Sequence, residues 1–234
     1  MALLSAIEVD ARVFLNETTA DFWTSAELIQ HMNDAIKDLW RATVDLGEEY
    51  YLTIDATNVT LSANTSTLSG VPTGVYKIVK IHPRDMASSS SNLGLLFKRA
   101  DYHDDVFQSA LGEDDVDPSQ TVIYYYAEGA GAPVGAPTIR VAPQVTTAVN
   151  LTLAYVPTQA DLAAAGTNPI PGESDAAIMH YTVAMALARV RPDSQPDPVH
   201  LDLYGTFKQS LITSMTPRDI SEPEVVEAFF EGWM

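Results

Sequence analysis

The chain has 234 residues, 46% of them hydrophobic and 19% charged, with a net charge of −18 and no cysteine. That length and composition suit one large domain or two small ones with a sizeable core, and they exclude global disorder. The lack of thiols excludes disulfides, cysteine zinc sites and thiol catalysis. A surface this acidic repels nucleic-acid phosphates and anionic lipid, while suiting a wall past which DNA slides without sticking.

The first stretch, "MALLSAIEVDARVF", lacks a basic n-region and is interrupted by Glu8 and Asp10, so it does not read as a signal peptide. No run approaches the roughly 18 apolar residues of a membrane span, and a soluble protein with no membrane partner is expected. Leu4, Ile7, Ala11 and Phe14 recur at helical spacing, which predicts a short helix over 2–15. The clearest helix is "TSAELIQHMNDAIKDLWRATV". Thr24 is a good N-cap, Glu27 completes a capping box, and Gly47 ends the segment. Its apolar stripe is Leu28, Met32, Ala35, Ile36, Leu39 and Trp40.

From about 50 the character changes. "YYLTI", "NVTLS", "GVYKIVKI", "TVIYYYAE", "TIRVA" and "VNLTLAYV" are short, rich in β-branched and aromatic residues, and separated by Gly, Pro, Asn and Ser. In the last, Val149, Leu151, Leu153 and Tyr155 alternate with Asn150, Thr152 and Ala154, as in a half-buried strand. An antiparallel β-domain over 49–158 follows, interrupted by an excursion at 84–120 that is expected to hold a helix near 99–111. Helices then return. Ser174 is placed to cap "DAAIMHYTVAMALARVR", whose alanines let a neighbouring helix approach closely. Asp197 caps the next helix, Pro198 takes its first position, and Val199, Leu203, Phe207 and Leu211 fall at i+4 intervals. The expected class is α+β: helices 1–48 and 159–215 form a bundle around the β-domain, and 216–234 form an extended C-terminal arm.

Catalytic and ligand-binding patterns are sparse. The five histidines show no metal-ligand spacing, and there is no nucleophile elbow. "DYHDDVFQSALGEDDVD" offers Asp101, His103, Asp104, Asp105, Glu113, Asp114, Asp115 and Asp117, but without EF-hand spacing it reads as a solvated acidic face. "GAGAPVG" at 129–135 follows a strand, yet Pro133 and Pro137 oppose the helix that a nucleotide loop must open, so it reads as a turn. No catalytic residue, cofactor or metal is expected, and the protein is not read as an enzyme.

The arm carries the strongest pattern. In "SEPEVVEAFFEGWM", Ser221 is a helix cap. Val225, Val226, Phe229, Phe230, Trp233 and Met234 form one helical face, opposite Glu224, Glu227 and Glu231. Burying those six side chains yields roughly 8–15 kcal/mol gross. Ordering the fourteen residues costs about 20 kcal/mol, so the arm is expected to order on a protein surface. Its acidic face disfavours membranes. "MTPRDISEPE" is a polar tether before it.

The order of these features resembles the head-to-tail adaptor, or connector, proteins of tailed bacteriophages. The resemblance rests on "FWTSAELIQHMNDAIKDLW", on "GVPTGVYKIVKIHP" entering the β-domain, and on "LAYVPTQADL" followed by "NPIPGESDAAIMHYTVAMALAR". It covers about 1–215. It implies a structural ring in the virion neck, commonly twelvefold, made in the host bacterial cytoplasm. Such a ring sits beneath the portal protein, extends the DNA channel without sequence-specific binding, and carries tail or tail-fibre proteins. It further implies that Val225, Val226, Phe229, Phe230, Trp233 and Met234 dock on the portal or a neighbouring subunit, although the residues themselves leave the chain's own body open as the groove. The β-domain and its excursion exceed what a minimal adaptor needs, which leaves their partner open. The alternative reading is a β-domain binding module for carbohydrate or a tail-fibre protein, motivated by Tyr124 and Tyr126 in "IYYYAE".

Overall fold

A computed structural model describes residues 2–17, 19–46, 51–84, 95–112, 122–129, 135–170, 174–191 and 193–215. The chain divides into two compact units, one built from both ends of the chain and one from Glu48–Thr158.

The helical unit holds α1 (Leu4–Phe14), α2 (Ser25–Leu46), α4 (Ser174–Ala188) and α5 (Pro198–Met215). α4 packs against each of the other three. It can do so because it is apolar and small on several sides: Ala177, Ile178, Val183, Ala184 and Ala186 are all fully buried. The expected α2 stripe is buried along its whole length, from Leu28 to Trp40. Half of the capping box forms: the Glu27 amide donates to Thr24 Oγ1 at 3.3 Å. The Glu27 carboxylate is drawn instead to Arg189, the residue after α4, at 2.9 Å.

Two expectations on the later helices need correction. Ser174 does not cap α4; its hydroxyl donates to the Ile170 carbonyl at 3.0 Å and accepts from Asn168 at 2.8 Å, so it ties the preceding loop to the helix. On α5, Asp197 does cap, accepting the His200 amide at 3.0 Å, but the buried face is Tyr204, Leu211 and Met215. Val199 is 64% exposed and Leu203 37%. Successive i+4 steps drift around a helix of 3.6 residues per turn, so such a row cannot stay in one seam. Tyr204 fixes the seam: it packs edge-on to Tyr181 at 5.1 Å and its hydroxyl donates to Asp38 of α2.

The second unit contains two sheets. In the first, β8 (Val149–Pro157) is central. It pairs on one edge with β4 (Val75–Pro83), and on the other with β1 (Thr53–Asp55) and β2 (Thr60–Leu61), while β3 (Leu68–Ser69) pairs with β2; all these pairings are antiparallel. The alternation read for β8 is incomplete, since Thr152, Ala154 and Val156 are buried too. A central strand has side-chain neighbours on both edges, and short residues such as Thr and Ala are screened by them. In the second sheet, β6 (Val122–Glu128) pairs antiparallel with β7 (Thr138–Ala142) and parallel with β5 (Leu96–Arg99). The parallel pairing needs a crossover of a dozen or more residues. The excursion supplies it, through the short helix α3 (Asp105–Leu111). The helix expected over 99–111 is thus a strand end followed by this shorter helix, capped by Asp104. Both sheets contribute to one core, with Leu61, Ile123, Ile139, Leu151 and Leu153 fully buried in it.

Candidate interaction surfaces

Two of the stretches that carried the adaptor resemblance, "FWTSAELIQHMNDAIKDLW" and "NPIPGESDAAIMHYTVAMALAR", meet in the helical unit. Phe22 lies under the Arg189 guanidinium at 4.6 Å, and the Trp23 indole donates to the Ala186 carbonyl at 3.1 Å. "FWTSAE" is thereby fastened to the end of "HYTVAMALAR". The loop between β8 and α4 is fastened likewise. Asn33 of α2 donates to the Leu162 carbonyl at 3.0 Å and accepts the Leu162 amide at 2.8 Å. The Leu4 and Ser5 amides donate to Gly166 and Ala164, each at 3.0 Å.

Beneath α1 lies a buried ionic knot. Glu8 Oε1 accepts from Arg12 Nε at 3.0 Å, from Arg12 Nη2 at 2.8 Å and from Ser25 Oγ at 2.6 Å. Arg12 Nη2 also donates to the Trp23 carbonyl at 3.1 Å. Glu17 stands 4.0 Å from Arg12 Nη1 and accepts the amides of Asp21, Phe22 and Trp23. Burial alone would raise the Glu17 carboxyl, but these amides and Arg12 hold it below its usual value. The knot ties Glu17 to the 21–23 segment that leads into α2.

At the last residue of α1, Phe14 packs edge-on against His180 of α4 and His200 of α5, both at 5.6 Å. The two histidines share a hydrogen between their Nδ1 atoms at 3.0 Å, and Phe207 stacks on His180. Burial, and then the neighbouring His200, lower the His180 pKa. Spaced twenty residues apart, this pair carried no motif in the sequence. Around it the helices leave apolar side chains in solvent: Val9, Val13 and Phe14 on α1, and Val199 and Leu203 on α5, each more than a third exposed.

The second unit carries a cleft of about 280 Å³ lined by Ser66, Tyr102, Phe107, Leu111, Tyr126, Glu128, Arg140 and Val141. Tyr126, one of the two tyrosines singled out in the sequence, is buried in its floor, and Tyr124 packs partly buried beside it. The exposed ring is Tyr102, which sequence reasoning missed because it sits outside any strand pattern.

The arm residues Val225, Val226, Phe229, Phe230, Trp233 and Met234 lie outside the described residues. Of the acidic stretch, Asp104 is engaged as the α3 cap, and Glu113 to Asp117 also fall outside. Among the described residues no group of three His, Cys, Asp or Glu is placed to hold a metal, and no helix is long and apolar enough to cross a membrane.

The described residues thus form a helical unit fastened by polar clasps, with apolar side chains left in solvent, and a separate β-unit. The family model of the SU10 adaptor proteins matches residues 1–224. The chain therefore belongs to the SU10 adaptor family, a family of phage head-to-tail adaptors, and is a structural component of the virion. No curated protein matches it.

Proposed function

We propose that copies of this chain close into a twelvefold ring beneath the portal protein in the virion neck. There the ring extends the DNA channel and joins the capsid to tail or tail-fibre proteins, after synthesis in the host bacterial cytoplasm. The family match over nearly the whole chain carries the reading. Three features support it. A net charge of −18 per subunit suits a lumen that DNA must traverse without binding. The exposed apolar side chains of α1 and α5 suit contact with a neighbouring copy. The arm, with Val225, Val226, Phe229, Phe230, Trp233 and Met234 on one face, suits docking on the portal or a sister subunit; all six lie just beyond the residues the family model matches. Twelve individually weak arms gain strength through avidity once held in a ring.

Electron microscopy of the purified protein mixed with its portal at micromolar concentration tests the proposal. Ring complexes coaxial with the portal are expected; monomers alone would refute it. Basic side chains lining the lumen of such rings would refute the channel assignment by itself.

A further inference from the structure

We infer that the cleft beside α3 is a binding site for a neutral hexopyranose ring. The site begins with the crossover that makes β5 and β6 parallel: it lays α3 against the sheet and buries Phe107 completely. Phe107 meets Tyr126 edge-on at 5.0 Å, and Tyr126 meets Tyr102 at 5.3 Å. The backbone of Tyr102 is held as well, since its carbonyl accepts from Gln108 Nε2. The result is a supported aromatic wall: Tyr102 is 49% exposed and Leu111 47% exposed, above a floor of Phe107, Tyr126 and Val141.

The rest of the lining is polar. Tyr126 Oη donates to Glu128 Oε1 at 2.7 Å and orients that carboxylate. Arg140 Nε lies 3.4 Å from Glu128 Oε2, with both side chains about half exposed. An ion pair this open retains hydrogen-bonding capacity for a ligand. Ser66 also lines the cleft.

A pyranose has the matching asymmetry. One face of C–H bonds packs on an aromatic ring, and its hydroxyls both donate and accept at the rim. Size narrows the choice: about 280 Å³ lies near the lower end of small-ligand clefts, room for one ring and too little for a helix. Charge narrows it further. Glu128 and Arg140 balance each other, while Asp101, Asp104 and Asp105 flank Tyr102 in a chain of net charge −18, which disfavours anionic sugars. The site is independent of ring assembly, so its failure leaves the adaptor reading untouched.

The full chain is titrated with methyl α-glucoside, methyl β-galactoside and N-acetylglucosamine, each to ~20 mM, while aromatic proton signals are followed by NMR; a Kd near ~1 mM is expected for at least one. Tyr102→Ala and Arg140→Ala should each weaken binding about tenfold or more, a difference of about 1.4 kcal/mol. Tyr102→Phe, which keeps the ring, should bind within about twofold of the parent. Unchanged melting curves establish that the variants fold. No response to any of the three sugars, or a response that Tyr102→Ala leaves intact, overturns the inference. So does protection of Tyr102 from hydroxyl-radical labelling in assembled virions, which would assign the cleft to a protein contact instead.

Discussion

Removing Glu8 should destabilise the helical unit more than removing its whole ion pair. Arg12 is 7% exposed and Glu8 12%, and three hydrogen bonds converge on one Glu8 oxygen. In Glu8→Ala the guanidinium stays buried, with the Trp23 carbonyl, Ser25 Oγ at 3.3 Å and Glu17 at 4.0 Å as remaining partners. Orphaning one member of a buried pair costs about 3–5 kcal/mol, and the residual partners place this case near 3. Arg12→Leu should cost about the same, since it leaves a buried carboxylate with Ser25 alone from the knot. The double variant Glu8→Leu/Arg12→Leu removes both charges and should cost about 1 kcal/mol or less. Trp23 and Trp40 both lie in the helical unit, so tryptophan fluorescence during urea unfolding follows that unit apart from the β-unit. At about 2–4 °C per kcal/mol, each single variant should also lose roughly 6–12 °C of melting temperature. If both singles cost under ~1 kcal/mol, or the double costs as much as their sum, the knot does not fasten α1 as described.

Four further outcomes are expected. Gly70→Ala places its Cβ 1.9 Å from the Asn58 carbonyl oxygen at a φ of +72°. It should cost roughly 3 kcal/mol or more by denaturant unfolding, beyond the ~1–2 kcal/mol of the left-handed conformation alone. Gly205→Ala in α5 meets open space among the described residues and should stabilise the isolated chain by about 0.5–1 kcal/mol; no gain would indicate that the α5 backbone is not a regular helix there. Because burial lowers the His180 and His31 pKa values, the folded chain keeps both neutral while the unfolded chain takes up protons near pH ~6.5. Stability should be full above that pH and decline below it, until the folded histidines protonate as well. Urea midpoints at pH 7.5 and 5.5 should differ less in His180→Gln, and an unchanged difference refutes the assignment. Deleting 221–234 should leave the helical unit's melting temperature unchanged while weakening capture by the portal; a large fall for the monomer places the arm in its own body.

The sequence by itself determined the elements whose signals are local. The α2 stripe, the Thr24 and Asp197 caps, Pro198 at the start of α5, and the β4, β6, β7 and β8 segments were legible because periodicity and capping depend on neighbours within a few residues. The order of motifs was enough to place the chain among phage adaptors, and the family match agrees. Tertiary structure decided what no short window contains. It set which face of α5 turns inward, because Asp38 and Tyr181 come from other helices to meet Tyr204. It turned Ser174 from a cap into a loop clasp, because its hydroxyl accepts from Asn168 and donates to the Ile170 carbonyl. It made β5–β6 parallel through the α3 crossover, and so brought Tyr102 into one cleft with Glu128 and Arg140. It also joined His180 to His200 under Phe14. Each of these depends on side chains that meet only once the strands and helices are packed. Sequence spacing fixes the face of an element; the partner that covers it is set by the fold.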